Sequence, residues 1–200
     1  MLAGKPLLVS LSASFAVLAV AFAACERPVV VRAEEAARGP IIAHPVRTLE
    51  GDRMNLGQFR GQVLLIVNTA SECGYTSQYT ALETLFRRYE ARGLLVLGFP
   101  SNDFMGQEPG DAKQIRKFIT EAYGITFPMF EKQTVAGREK SPLYRTLTDD
   151  LPGDLAGEIG WNFTKFLVDP SGHVVARFPT DVDPLDAGII SAIEANLPVK

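Results

Sequence analysis

Cys73 is the residue whose type and setting offer the clearest chemistry. A deprotonated thiol is a strong nucleophile, and Cys73 is one of two cysteines in the 200-residue chain. The other cysteine lies near the start of the chain, so Cys73 is either a small buried hydrophobe or a reactive group. It follows an apolar run and precedes a helical pattern, and open α/β sheets place ligand sites in such loops. A helix beginning near Thr76 would direct free N–H groups at the sulfur and favour the thiolate.

The residues around Cys73 exclude several other thiol chemistries. The sequence CGYT that begins at Cys73 is not C-x-x-C, so dithiol exchange lacks its second sulfur. Ser77 stands where a copper-delivery C-x-x-x-C needs its second cysteine. The two histidines, His44 and His173, lie in predicted strands with apolar neighbours. We therefore interpret them as ordinary surface or core residues, not as metal ligands or partners of a Cys-His hydrolase.

Apolar patterns predict the strands and helices that position Cys73. Residues 63–67 and 94–99 are continuous apolar runs, typical of strands that are buried on both faces. The segment between them shows helical spacing and ends at Gly93, which predicts a βαβ unit with parallel strands. Further helices are predicted over residues 111–123, with Ala122 on the apolar face, and 183–197. Further strands are predicted over residues 41–49, 163–168 and 173–178, the last two joined by a turn at 169–172. This order predicts a three-layer α/β fold with a mixed sheet and one antiparallel hairpin.

The first 25 residues are typical of a secretory leader. Lys5 precedes an apolar stretch over residues 6–24 that ends in small residues, the pattern of a signal peptide. Ala21 and Ala23 offer a cleavage site, and the sequence AAC that ends at Cys25 resembles a lipoprotein lipobox, in which the cysteine is lipidated. An uncleaved membrane anchor is the remaining alternative. We expect export, to the periplasm or to a membrane as an anchored lipoprotein.

The rest of the chain divides by composition into a tether and a single domain. Residues 26–40 mix charges with alanine, glycine and proline, and we interpret them as the tether. Residues 41–200 have the length of one domain with its own core. The net charge is −3 without a block of basic residues, which disfavours nucleic acid as a partner.

Three segments together resemble the glutathione peroxidase family. They are residues 61–76 (GQVLLIVNTASECGYT), 98–110 (GFPSNDFMGQEPG) and 161–169 (WNFTKFLVD). The resemblance implies a thioredoxin-like fold, a central mixed β-sheet flanked by helices. It implies a peroxidase that reduces hydrogen peroxide and organic or lipid hydroperoxides, with glutathione or another thiol as co-substrate and neither a bound cofactor nor a metal.

The same resemblance implies that Cys73 is the catalytic residue, assisted by Gln107, Trp161 and Asn162. The sulfur would pass through a sulfenic acid. The two carboxamides and the indole offer N–H donors that stabilise an anion, each charge-assisted bond contributing about 1.5–3 kcal/mol.

Departures from the family pattern shape the expected mechanism. Ser101 stands where many members have cysteine, and Asp103 replaces a usual glutamine. The helix that carries Phe118 and Ile119 lacks the resolving cysteine of members that form an internal disulfide. We therefore expect an external thiol, small or on a protein, to resolve Cys73. The short stretch over residues 137–161 is typical of monomeric members that accept bulky or lipid hydroperoxides, and a lipid anchor at Cys25 would place the enzyme beside them.

Two other functions compete with this interpretation. A peroxiredoxin would carry Pro-x-x-x-Thr-x-x-Cys, whereas Thr69 lies four residues before Cys73 and no such proline precedes it. The other is a non-catalytic tethered module for binding or redox sensing on the same fold. The joint presence of Cys73, Gln107, Trp161 and Asn162 argues against it.

Overall fold

The protein is a mixed five-stranded sheet covered by helices on both faces. The computed structural model describes residue 1, residues 29–30 and residues 40–198. The strands are β1 (Val29–Val30), β2 (Pro45–Arg47), β3 (Arg53–Asn55), β4 (Val63–Thr69), β5 (Leu94–Pro100), β6 (Lys165–Val168) and β7 (Val174–Phe178). The α-helices are α1 (Gln78–Tyr89), α2 (Ala112–Tyr123), α3 (Pro142–Asp149) and α4 (Ala187–Asn196). The main sheet has the order β1-β7-β6-β4-β5, and β2 pairs with β3 in a separate hairpin.

Strand β4 is an interior strand of the sheet, between β6 and β5, and all seven of its residues are buried. It is parallel to β5, with Val63 opposite Leu94, and antiparallel to β6. Leu65 and Val67 belong to one apolar core, together with residues of α1, α2 and α4, whereas Leu64 and Ile66 belong to a second core with residues of α3. The alternation of side chains along a strand therefore produces the three predicted layers.

The predicted βαβ unit, the helix after Asp111 and the turn before β7 are confirmed. Asp111 caps α2 through a reciprocal capping box with Gln114, and Gly124 ends the helix in a left-handed conformation. In the turn, the N–H of Gly172 donates to the carbonyl of Asp169 at 3.0 Å. Within α2, Ile115 and Ile119 are buried as expected, but Ala122 is exposed, so the predicted apolar face is one residue too wide.

Other segments differ from prediction for local reasons. The strand expected over residues 41–49 begins instead as a 3₁₀ turn, Ile41–Ala43, and continues as β2, which forms an unpredicted second hairpin with β3. Helix α3 was not predicted, although Ser141 followed by proline is a helix-start signal and the Ser141 side chain caps it. Helix α4 begins later than expected because Asp183 accepts from the N–H of Leu185 and holds a turn, leaving Asp186 as the cap.

The leader and most of the tether lie outside the described residues, Cys25 among them. Within the tether, Val29–Val30 forms the edge strand β1, antiparallel to β7, which the sequence analysis did not predict. Within the described residues, no helix has the length and apolar character needed to cross a membrane.

Candidate active site

Cys73 lies in the loop that connects the carboxyl end of β4 to α1. The hydroxyl of Thr76 closes this loop: it accepts from the N–H of Cys73 at 3.0 Å and lies 2.9 Å from the carbonyl oxygen of Ala70. The N–H of Thr76 donates in turn to the carbonyl of Cys73, also at 3.0 Å. Thr76 is buried. The sequence analysis did not assign Thr76 a role, although a threonine three residues after a loop residue is a known turn-forming signal.

Cys73 is buried, with 8 % of the surface of the residue exposed. The backbone N–H of Tyr75 donates to Sγ at 3.4 Å. Helix α1 begins at Gln78, two residues later than expected, and turn hydrogen bonds fill the interval. An N–H group therefore does point at the sulfur, but it belongs to the turn before the helix.

Gln107 and Asn162 come together beside the Cys73 loop. The N–H of Glu72 donates to the carbonyl of Gln107 at 2.9 Å, which joins the two loops. The side-chain nitrogen Nδ2 of Asn162 donates to Oε1 of Gln107 at 3.0 Å, and Asn162 is fully buried. Because Oε1 of Gln107 is the accepting atom, its Nε2 is the end left to donate. Thus the structure brings two of the three predicted assisting residues into contact.

Trp161 lies next to this pair and packs against the core that contains Cys73. Its ring is 5.5 Å from that of Phe104, centroid to centroid, and its carbonyl accepts from Nδ2 of Asn68 at 3.2 Å. Among the described residues, the hydrogen bond that reaches Sγ comes from Tyr75, not from Gln107, Trp161 or Asn162. The catalytic roles of these residues stay a prediction.

Two residues with left-handed backbones flank the site. Phe163 has φ of +65° directly after Asn162, and Met105 has φ of +53° two residues before Gln107. Among the described residues, no other non-glycine residue has a positive φ. Such conformations cost about 1–3 kcal/mol each and concentrate at functional sites. For Phe163, a 2.6 Å hydrogen bond from its N–H to the carbonyl of Asn68 helps to hold the turn.

Buried polar atoms without a hydrogen-bond partner also gather near the end of β4. They include Oδ1 of Asn68, Oγ1 of Thr69 and Oδ1 of Asn162. Such atoms are rare in folded proteins because each lost hydrogen bond costs free energy. Here these three oxygens remain available as hydrogen-bond acceptors close to the site.

Glu108 is a functional candidate that the sequence analysis did not single out. Its side chain is almost fully buried, and its Oε2 accepts from the hydroxyl of Ser71 at 3.1 Å. Burial raises the pKa of Glu108 to about 7, although the hydrogen bond from Ser71 and the charge of Lys132 act in the opposite direction. Its only sequence signal was its place beside Gln107 in the segment at residues 98–110.

A cavity of about 320 Å³ opens beside the Cys73 loop. Its walls come from three segments: Ser71 and Glu72 before the cysteine, residues 108–110, and Gln114, Ile115 and Phe118 of α2. The histidines lie elsewhere, with His44 close to Thr146 and His173 close to Ser171. Within the described part of the chain, no three histidine, cysteine or acidic side chains are grouped so as to hold a metal ion.

Comparison with known proteins identifies the family. The family model described as glutathione peroxidase matches residues 41–148, more than half of the chain. A relative named glutathione peroxidase homolog BsaA, from Halalkalibacterium halodurans, is 49 % identical over 139 residues, which cover 70 % of this chain and 88 % of the relative. The chain therefore belongs to the glutathione peroxidase family.

Two further comparisons support this assignment. A hydroperoxy fatty acid reductase from Synechocystis is 46 % identical over 154 residues, covering 74 % of this chain and 91 % of the relative. The crystal structure of T. cruzi GPX1 matches with a TM-score of 0.61 and 32 % identity, covering 80 % of this chain and 96 % of that one.

These findings confirm the predicted thioredoxin-like α/β fold. They also confirm the predicted class of enzyme, an oxidoreductase that reduces hydroperoxides at the expense of a thiol.

Proposed function

We propose that Cys73 is the residue that reduces the hydroperoxide. Its thiolate attacks the terminal oxygen of the substrate, so that an S–O bond forms as the O–O bond breaks. The departing alkoxide takes up a proton and leaves as an alcohol, or as water when the substrate is hydrogen peroxide. The observation that carries this proposal is the Cys73 sulfur, which receives the N–H of Tyr75 beside the paired side chains of Gln107 and Asn162.

Gln107, Trp161 and Asn162 assist this step in the proposal. The Nε2 of Gln107 is free to donate because Asn162 holds its oxygen. N–H donors near the sulfur and the leaving oxygen stabilise the negative charge that moves between them. A modest movement of the loop on substrate binding would bring these donors into range, since catalytic hydrogen bonds often tighten only in the complex.

An external thiol then regenerates the enzyme. A first thiol attacks the Cys73 sulfenic acid, an S–S bond forms and water leaves. A second thiol attacks the mixed disulfide, releasing the Cys73 thiolate and the disulfide of the two reductant molecules. Two observations support this route: Cys73 is a free thiol, and α2 presents Phe118 and buried Ile119 instead of a cysteine. Glutathione and a thiol protein are the candidate reductants.

Exposed apolar side chains close in sequence to the proposed catalytic residues support bulky or lipid hydroperoxides as substrates alongside hydrogen peroxide. Tyr75 is 39 % exposed and Met105 is 81 % exposed, both within two residues of a proposed catalytic residue. The ring of Phe104, next to Met105 in the sequence, packs against that of Trp161. Exposed apolar side chains at a site mark a surface for an apolar ligand. The name of the Synechocystis relative, a hydroperoxy fatty acid reductase, is consistent with this choice.

The proposal extends to assembly and location. We propose that the protein is exported, to the periplasm or to a membrane, and acts as a monomer. The leader pattern of residues 1–25 supports export, and lipidation of Cys25 would anchor the enzyme beside lipid hydroperoxides. Residue-specific mass spectrometry of the mature amino terminus distinguishes a cleaved chain, a lipidated Cys25 and an uncleaved leader.

Peroxidase assays on wild type and Cys73→Ser test the proposed chemistry. The variant should lose turnover, and the wild type treated with hydroperoxide should gain one oxygen in its intact mass. The sulfenic acid should then form an adduct with one added thiol. Equal turnover of the two proteins would instead favour the non-catalytic module, and an internal disulfide would rule out the external thiol.

A further inference from the structure

Two adjacent hydrogen bonds join the Cys73 loop to the segment that carries Gln107. One is the backbone bond from Glu72 to Gln107, and the other runs from the Ser71 hydroxyl to Oε2 of Glu108 at 3.1 Å. Of these two bonds, the first joins backbone atoms and the second joins side chains. Ser71 lies two residues before Cys73, so the Glu108 carboxyl restrains the loop from close to the sulfur.

Glu108 is itself held firmly. Its N–H donates to Oδ1 of Asn102 at 2.8 Å, and its carbonyl accepts from Nζ of Lys132 at 2.6 Å. Lys132 also donates to the carbonyl of Gly110 at 2.6 Å. The backbone of Glu108 is thus fixed on both sides of the peptide, which leaves the carboxyl as the part whose state can change.

The charged and titratable groups that face this carboxyl are few. Besides the dominant effect of burial, the charge of Lys132 lowers the pKa of Glu108, and Glu72 of the Cys73 loop raises it. From α1, the phenol of Tyr79 faces it; burial raises the pKa of Tyr79, and the negative charge of Glu108 adds to that rise. The α2 side of the adjoining cavity is lined by Gln114, Ile115 and Phe118, which carry no charge.

We propose that Glu108 is a positioning residue of the peroxidase reaction, whose carboxylate fixes the Cys73 loop against Gln107 through Ser71 and makes the reactivity of Cys73 depend on the protonation of Glu108. This rests on the proposed function of Cys73. A hydrogen bond to an ionised carboxylate is shorter and about twice as strong as one to a neutral acceptor. Since the pKa of Glu108 is about 7, the strength of the Ser71 bond changes across neutral pH. The adjoining cavity gives the carboxyl a route for exchanging its proton with solvent.

The test compares Cys73 reactivity in wild type and Glu108→Gln from pH 5.5 to pH 8.5. Two rates are measured without any reductant, oxidation by hydrogen peroxide and alkylation by iodoacetamide. The two proteins are compared at each pH through the ratio of their rates, wild type divided by variant. We expect a ratio near one at pH 5.5 that rises to roughly three- to tenfold above pH 7.5, because only wild type gains the charged acceptor.

Ser71→Ala is the second variant. It removes the same hydrogen bond from the other side, so the proposal can still be tested if Glu108→Gln does not fold. It should show the same pH-dependent ratio, and the double variant should be no slower than either single variant, since both remove one bond. Glu121→Gln, an exposed acid on α2, is the matched control and should give a ratio of one at every pH.

A ratio that stays constant with pH in both folded variants overturns the proposal, even if both are slower than wild type. The alkylation rates decide this point independently of peroxide chemistry. If wild type fails to react with hydroperoxides while the alkylation ratio still varies with pH, the proposed peroxidase function fails, and Glu108 is shown to control the reactivity of the Cys73 thiol without serving that reaction.

Discussion

Among the residues that the structure describes, two glutamates are buried, Glu83 on α1 and Glu108 beside the site, and their electrostatic settings are opposite. Glu83 accepts three hydrogen bonds, from the N–H and hydroxyl of Thr126 and from Nε of Arg87. Burial acts to raise the pKa of Glu83, but these partners together outweigh it and lower the pKa. Glu108 receives one hydroxyl on its carboxylate, and burial raises its pKa to about 7.

The difference separates a structural acid from a functional one. The Glu83 carboxylate ties α1 to the segment after α2 and has its charge compensated in place. Glu108 is left with a charge that the fold tolerates poorly, at a loop that the proposed reaction uses. Strained or undercompensated groups of this kind concentrate at functional sites because the rest of the fold supports them.

Replacing Glu83 should give the largest loss of stability. Glu83→Ala removes three hydrogen bonds and leaves the N–H of Thr126 without its acceptor, which should lower the free energy of unfolding by about 3 kcal/mol. Urea denaturation at pH 7 measures this. Glu121→Ala, on the exposed surface of α2, should change it by less than about 0.5 kcal/mol. A loss of stability for Glu83→Ala no larger than that of the control would contradict the structural role of Glu83.

Replacing Glu108 should stabilise the protein at alkaline pH, whereas replacing Glu83 destabilises it. The folded protein keeps its proton up to about pH 7, whereas the unfolded chain releases it near the ordinary glutamate pKa of 4.5. The folded state therefore binds more protons over this interval, and Glu108 makes stability fall as pH rises from about 4.5 to 7. Glu108→Gln should be more stable than wild type at pH 8 by on the order of 2 kcal/mol, with no gain at pH 4.

Thermal denaturation across this pH range measures the Glu108 effect. For Glu83 the sign is reversed: its pKa is lowered by folding, so its stabilisation is present above the unfolded pKa and is lost as pH falls through the folded one. Glu83→Gln should therefore be most destabilising at neutral pH. If the stability differences of the two variants from wild type changed with pH in the same way, the comparison of the two glutamates would be contradicted.

Thr76→Val sharpens the comparison at the Cys73 loop itself. The substitution keeps the shape of the side chain but removes the acceptor of the Cys73 N–H. The free energy of unfolding should therefore fall by about 1.5 kcal/mol. We also expect slower oxidation of Cys73. Thr84→Val is a matched control, because Thr84 is exposed on α1 and donates within its own helix. Similar losses for both would show that the loop gains nothing from Thr76.

Arg87→Gln should have the smallest effect. Its Nε lies 2.6 Å from Oε1 of Glu83, but the arginine side chain is 61 % exposed, so water and salt screen the pair. We expect a loss of about 0.5 kcal/mol that shrinks at high salt, with Arg53→Gln as a surface control. A loss as large as that of Glu83→Ala would mean that Thr126 contributes little to Glu83.

Much of the fold was predictable because local patterns and the core agree. The apolar run of β4, the helical spacing of α1 and the stop at Gly93 each act over a few residues, and burial reinforces each of them. The predicted boundaries were wrong where several weak signals compete. Before α4, both Asp183 and Asp186 can cap the helix, and the chain uses Asp186.

The site was predictable in part. The residues quoted for the family resemblance included Cys73, Gln107, Trp161 and Asn162, and the structure does place them in adjoining segments. Thr76 and Glu108 escaped assignment because their roles depend on which groups they meet. A threonine and a glutamate are ordinary residues until the closing of a loop gives one a buried N–H and the other a single hydroxyl partner.

The sequence by itself determined the layers of the domain, the placement of Cys73 after a buried strand and the membership of a peroxidase family. Only the tertiary structure decided which of two buried carboxyls has its charge compensated. The physical reason is distance along the chain. Glu83 meets Thr126 and Glu108 meets Ser71 across 43 and 37 residues, so no local pattern records either encounter.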